Sequence, residues 1–169
     1  DLSAADAVIA CDAVVSSAPK ASAHYREGSR VALNLAEMPT GDIVLRRDAT
    51  LDIPARARAV ASVVGTENIT ALNANAIAET LLGDAVLANV IMLGFSWQQG
   101  LVPVSLTALQ QAIVLNGVAI EKNQLAFAIG RAMAAAPDRL KSHYSEDTPE
   151  DETLEQLIDR RAAFLTSYQ

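Results

Sequence analysis

The chain has 169 residues, a formal net charge of −7 and 51% hydrophobic residues, with 4% aromatics and one cysteine. That length fits one compact domain, and the apolar half excludes a wholly disordered chain. One cysteine excludes an intramolecular disulfide framework and an iron–sulfur site ligated within the chain. With 20 acids against 13 bases, nucleic-acid binding is disfavoured, because it needs clustered Lys and Arg.

Alanine is the main peculiarity, at 32 residues. Helices carry Ala at little cost, and its small volume allows close packing. The longest strongly apolar run, Ala85 to Phe95, is interrupted by Asn89 and falls short of the ~20 residues that span a bilayer. A soluble, cytoplasmic protein without a membrane partner is expected, and the sequon Asn68-Ile69-Thr70 is then a chance match. The sequence begins at Asp1 without an initiator Met or a signal peptide, which reads as a piece of something longer.

The first part alternates short apolar runs with helical stretches. Ala7 to Cys11 is a buried-strand candidate ending at Asp12. A helix is expected around Ala18 to Tyr25, closed by Gly28, and Arg30 to Leu35 is a second strand. Pro39-Thr40-Gly41 is a turn, and Asp42 to Arg46 a third, edge-type strand whose end exposes Arg46-Arg47. Pro54 opens a helix with Ile53, Ala57, Val60, Ala61 and Val64 on one side, ending at Gly65. Asn68 to Leu72 is a fourth strand. Strands alternating with helices suggest an α/β layer with a largely parallel sheet.

The second part, Ala74 to Ala136, is helical. A short helix Ala76–Leu82 ends at Gly83, and Asp84 caps the next, Ala85 to about Gln98. With only Asn89 polar up to Phe95, this helix is expected to be buried on nearly all sides. After Gly100 and Pro103, Ser105 caps a helix with Leu106, Leu109, Ile113 and Val114 inward, stopped at Asn116-Gly117. A last helix runs from about Ala119 to Ala136 with Ile120, Leu125, Phe127, Ile129 and Met133 as its apolar positions, and Pro137 ends it.

The third part, Pro137 to Gln169, carries eight acids and four bases. Ser145 to Thr153 reads as a solvated linker. Thr148-Pro149-Glu150-Asp151 has the cap, the proline and the acids of a helix start. Leu154, Leu157, Ile158, Phe164 and Leu165 then form an apolar stripe that resembles the opening of another domain. The organisation read from the chain is 1–137 as one domain, 138–153 as an acidic linker and 154–169 as the first helix of a following domain.

The glycines are too scattered for a dinucleotide or phosphate-loop fingerprint. Gly94-Phe95-Ser96-Trp97-Gln98 matches a nucleophile elbow for three positions, then has Gln where Gly is required, and it lies in a predicted helix. His24 and His143 are the only histidines, and neither has a helical partner, so no metal site is expected. Polar residues in apolar surroundings are the better clues. Asn89 lies among Val, Leu, Ile and Met, and a buried amide must find partners, since an unsatisfied one costs about 1–3 kcal/mol. It either bonds a neighbouring loop backbone or contacts a ligand or a partner subunit. Asn73, Asn75 and Glu79 flank the strand-to-helix junction after Leu72, and such junctions are where open α/β sheets bind ligands. Local capping accounts for them equally well. Trp97 reads as packing.

Four stretches carry a resemblance: Asn73 to Glu79, Gly83 to Gly94, Gly100 to Ser105, and Ile113 to Gly117. Together they resemble the gamma domain of 2-oxoacid:ferredoxin oxidoreductases, most closely that of the fused indolepyruvate ferredoxin oxidoreductase chain. Leu154 to Leu165 is similar to the opening of the region that follows the gamma domain there, and Ala7 to Leu35 resembles the middle of the domain. The resemblance implies a three-layer, Rossmann-like α/β domain with a mostly parallel sheet, incomplete at its N-terminus, with a helix-rich C-terminal half. The family's opening strand, Gly-rich turn and helix have no match here. It also implies a parent enzyme that decarboxylates aryl pyruvates on thiamine diphosphate. That parent passes electrons through iron–sulfur clusters to ferredoxin and forms an acyl-coenzyme A. Its cofactors would be held by other domains, and none by this segment.

The reading is a structural domain packed against other domains or subunits of such an oxidoreductase, with a homo-oligomer left open. No catalytic residue is expected in it. Asn75, Glu79 and Asn89 are the expected contact positions. A stand-alone Rossmann-like binding or scaffold module, or a small hydrolase using Ser96 or His24, are the alternatives.

Overall fold

The computed structural model describes residues 4–37 and 51–138. The expected turn at Pro39, the strand from Asp42 to Arg46, the pair Arg46-Arg47, the acidic linker beyond Asp138 and the 154–169 helix lie outside the described residues.

Three strands form one sheet in the order β1-β2-β3: Ala7–Ala10, Arg30–Asn34 and Ile69–Leu72. All pairs are parallel, with Ala7 opposite Arg30 and Val31 opposite Ile69. The alternation of β2 sends its side chains to two faces. Val31 and Leu33 pack with Ala10, Ala13, Ile53, Val60 and Val64 on one side, while Ala32 joins Leu72, Ile77, Ile91, Met92 and Met133 on the other. The central strand is therefore buried at four of its five positions, Val31 to Asn34, as a sheet covered on both faces requires. The expected α/β class with an open, parallel sheet is the observed one.

Both crossovers place a helix on the first face. The β1–β2 connection carries α1 (Ala13–Ser17) and α2 (Pro19–Ser22), where one helix from Ala18 to Tyr25 is expected. Asp12 starts the helical path early by accepting from the amides of Val14 and Val15 at 2.7 and 3.0 Å. Ala18 then turns extended (φ −66°, ψ 145°), as a residue before proline is pushed to do, and the path breaks in two. The β2–β3 connection carries α3 (Ile53–Val64), with Ile53, Val60 and Val64 buried and Gly65 at its end, as expected.

The second face is covered by α4 (Ala74–Leu82), α5 (Ala88–Gln98) and α7 (Ile120–Ala135). α4 starts two residues earlier than expected because Asn73 caps it, its Oδ1 accepting from the Ala76 amide at 3.0 Å. Gly83 (φ 73°) closes it in the left-handed region, where a Cβ is strained. Asp84 caps a single 3₁₀ turn, Ala85–Leu87, before α5 begins.

α5 and α7 meet at two glycines. A Cβ built on Gly94 would sit 2.1 Å from the Phe127 carbonyl oxygen, and one on Gly130 2.0 Å from the Ile91 carbonyl oxygen. The two backbones are thus in direct contact. Ala126, Phe127, Gly130 and Met133 form the buried seam of α7. Leu125, one of the helix's apolar positions, falls off that seam and is 53% exposed.

α6 (Leu106–Asn116) is capped by Ser105 and stopped at Gly117, as expected. Of its four expected inward positions, Leu106, Leu109 and Ile113 are half-buried and Val114 is exposed. None of its residues is buried, and Val114 and Leu115 are exposed. Among the described residues, no helix is long and apolar enough to cross a membrane.

Candidate functional site

Parallel alignment brings the carboxyl ends of all three strands to one edge. Cys11 follows β1, Asn34 ends β2 and Asn73 follows β3. Asn34 is the hub. It is 1% exposed, and it forms four hydrogen bonds. Its Nδ2 donates to the Cys11 carbonyl at 3.1 Å and to Asn75 Oδ1 at 2.9 Å. Its Oδ1 accepts from the Ala36 amide at 3.2 Å and the Ala74 amide at 2.9 Å. An amide side chain offers two donors and two lone pairs, and all four are used here.

One buried side chain therefore ties the end of β1, the chain leaving β2 and the first turn of α4. Sequence reasoning missed it. A signal was present, since Asn34 closes an otherwise apolar strand run, and a buried amide in such a place must be satisfied.

Of the three expected contact positions, the structure brings only Asn75 into this cluster, half-buried and bonded to Asn34. Glu79 is exposed on α4. Asn89 is exposed too, and this corrects the expectation of a helix buried on nearly all sides. α5 buries Ala88, Ile91, Met92, Gly94, Phe95 and Ser96, while Val86 just before it is 80% exposed. One side of the helix faces outward, and Asn89 lies on it.

Four of the helix-start amides at this edge are engaged by the chain's own side chains. Asp12 occupies the amides of Val14 and Val15, and Asn73 and Asn34 occupy those of Ala76 and Ala74. A diphosphate needs such amides unengaged, or cationic side chains in their place. Among the described residues no group of three His, Cys, Asp or Glu could hold a metal ion. Cys11 is half-buried, and burial pushes its thiol above the usual cysteine range, which disfavours the nucleophilic thiolate.

The remaining candidates sit elsewhere. Ser96 is fully buried inside α5 and donates to the Met92 carbonyl at 2.7 Å, one turn back in its own helix. That hydroxyl is inaccessible to a substrate. His24 is exposed, with its carbonyl accepting from Ala5. Trp97 packs as expected. Its ring lies 6.2 Å from that of Phe127, the Arg131 guanidinium lies 4.9 Å above it, and its indole N–H donates to the Val104 carbonyl at 2.7 Å.

Residues 1–133 match the family model for pyruvate ferredoxin/flavodoxin oxidoreductase. No curated protein and no solved structure matches the chain. The match spans well over half of the sequence, and the chain belongs to the pyruvate ferredoxin/flavodoxin oxidoreductase family.

Proposed function

We propose that this member of the family is a gamma-type packing domain of an indolepyruvate-type 2-oxoacid:ferredoxin oxidoreductase. The parent enzyme decarboxylates an aryl pyruvate oxidatively in the cytoplasm, gives an acyl-coenzyme A and passes electrons to ferredoxin. The domain occupies 1–137, an acidic linker 138–153 and the first helix of the following domain 154–169. Thiamine diphosphate supplies the carbanion-stabilising chemistry of such a reaction and iron–sulfur clusters its electron path.

The residues present do not fit either group. One cysteine cannot ligate a cluster, and the helix-start amides of Val14, Val15, Ala74 and Ala76 at the strand ends are already engaged. The other domains or subunits of the parent hold both. The observation that carries the reading is Asn34: the edge where an open α/β sheet would bind a ligand is closed by a side chain whose four hydrogen bonds all go to this chain's own atoms.

Asn75 positions this junction. Glu79 and Asn89, both exposed on helices of the second face, contact neighbouring domains. The test is Asn89→Leu in the parent oxidoreductase, followed by size-exclusion chromatography and by activity per assembled enzyme on indolepyruvate and on pyruvate. A loss of assembly with an unchanged substrate ratio is expected. An assembled variant with an altered ratio would overturn the assignment.

A further inference from the structure

The chain holds seven asparagines, and six of them precede a residue with a side chain: Leu, Ile, Ala, Val or Gln. Asn116 alone precedes a glycine. That difference is chemical. A side chain on the following residue shields its main-chain nitrogen, whereas glycine leaves the nitrogen open to close approach. The asparagine amide carbon reaches that nitrogen within one chain, so ring closure between them needs no second molecule.

The other six are held or shielded. Asn34 is buried with its four hydrogen bonds made, and Asn75 bonds to it. Asn73 caps α4, and Asn68 and Asn123 donate to the Val64 and Val118 carbonyls at 2.8 and 2.9 Å. Asn89, exposed on α5, precedes the β-branched Val90. Asn116 is exposed, and its side chain takes part in no hydrogen bond among the described residues. A Cβ on Gly117 would meet nothing within 4 Å. A hollow of about 360 Å³, lined by Gly117, Ala119, Ile120, Glu121 and Lys122, opens beside it and gives water access.

One contact stands in the way. The Gly117 amide donates to the Val114 carbonyl at 3.1 Å, and Asn116 is the last residue of α6. A helical backbone directs the side chain away from the following nitrogen, so this end turn must open first. It opens at low cost, because helix ends fray and Val114 to Ala119 are all exposed.

We propose that Asn116 is a site of spontaneous deamidation, gated by opening of the last turn of α6. In the opened turn the Gly117 nitrogen, its proton lost to hydroxide, attacks Asn116 Cγ. The new N–Cγ bond closes a succinimide ring, and the Cγ–Nδ2 bond breaks with Nδ2 leaving as ammonia. Water then opens the ring at either carbonyl and gives aspartate or isoaspartate. Water enters, ammonia leaves, and nothing is oxidised or reduced. The product places a carboxylate at the C-terminal end of α6, where the helix dipole disfavours it. Isoaspartate also routes the main chain through Cγ, which displaces the left-handed Gly117 (φ 71°) from its capping position. The junction between α6 and α7 loosens.

The test is isoaspartate mapping of the 169-residue chain, aged at about pH 8 in buffer and in urea and then cut into peptides. In buffer, isoaspartate should accumulate at 116 before any other asparagine. In urea the rate at 116 should rise roughly five- to tenfold, because no turn has to open. Asn116→Asp carries the charge of the product. It should speed amide exchange in the last turn of α6 by about two- to fivefold and leave α5 unchanged. Isoaspartate appearing first at another asparagine, or none at 116, would overturn the proposal. So would a rate at 116 indifferent to urea, and an Asn116→Asp chain with unchanged exchange in α6 would overturn the loosening.

Discussion

Replacing either glycine at the crossing of α5 and α7 by alanine separates packing from helix propensity. Propensity alone favours Ala over Gly in a helix interior by about 1 kcal/mol. The structure predicts the opposite sign. A Cβ on Gly94 would lie 2.1 Å from the Phe127 carbonyl oxygen and 2.9 Å from its carbon, and one on Gly130 2.0 Å from the Ile91 carbonyl oxygen and 2.8 Å from the Phe95 nitrogen. Ordinary van der Waals contact starts near 3.4 Å. The obstacles are backbone atoms in helices and cannot rotate aside, so the helices must separate by more than 1 Å.

A gap of 0.5–1 Å already forfeits roughly a quarter to a half of each dispersion contact across it. Ile91, Met92, Phe95, Ala126 and Met133 line that seam or the core beneath it. Overpacking of this kind costs about 3 kcal/mol or more, which leaves a net loss of roughly 2–3 kcal/mol after the propensity gain. In a chain of this length that lowers the melting temperature by roughly 5–10 °C. The assay is equilibrium and thermal unfolding of Gly94→Ala, Gly130→Ala and the double variant. The double variant should lose less than the sum of the singles, because one separation relieves both clashes. A midpoint that is unchanged or raised in either single variant would refute the close-contact geometry.

Asn34→Asp places a carboxylate oxygen against the Cys11 carbonyl and Asn75 Oδ1, where the amide now donates. Burial and these two acceptors raise its folded pKa. The variant should therefore be least unstable in acid and lose stability as the pH rises, by several kcal/mol at neutrality, measured by urea unfolding at acid and neutral pH. A pH-independent difference from the parent sequence would contradict the four-bond arrangement. Ala119 starts α7 at φ 43° and ψ 47° with no side-chain cap, close to the φ 40° and ψ 60° of Asp52, whose Oδ1 accepts from the Ala55 amide. Ala119→Asp should add the missing cap and raise stability by about 1 kcal/mol in denaturant titration, and a loss would show that the two starts are not equivalent. Burial raises the thiol of Cys11 and, against a smaller opposing hydrogen bond to Ser16, the phenol of Tyr25. Both groups favour the fold while neutral, so that part of the stability is complete below their unfolded pKa values and is lost as the pH rises through the folded ones. Cys11 should react with a thiol reagent more slowly than free cysteine at pH 8, and equal rates would contradict its burial.

Much of the fold was legible because local chemistry specified it. Gly65, Gly83, Asp84 and Ser105 sit at the helix boundaries read from them, and the apolar runs at Ala7, Arg30 and Ile69 pair as parallel strands. The break at Ala18 was also written in the chain, since a residue before proline resists the helical region. Periodicity found the half-buried side of α6 at Leu106, Leu109 and Ile113 but not how shallow its burial is, because it shows that a helix has an apolar side without showing what lies against it. Asn89 and Asn34 are the sharper contrast. Both stand among apolar neighbours, but a short central strand is covered on both faces, whereas a helix on the outer layer keeps a side for solvent. Only the layer order distinguishes them, and that order is a long-range property.

The central claim is that this domain serves a 2-oxoacid oxidoreductase without a catalytic site of its own. The most direct test is release of carbon dioxide from indolepyruvate in the presence of thiamine diphosphate and coenzyme A, with ferredoxin as acceptor. It is measured on the 169-residue chain alone and on the complete parent enzyme. Release by the parent and none by the chain is the predicted result. Release by the chain alone, or a parent inert toward 2-oxoacids, would contradict it.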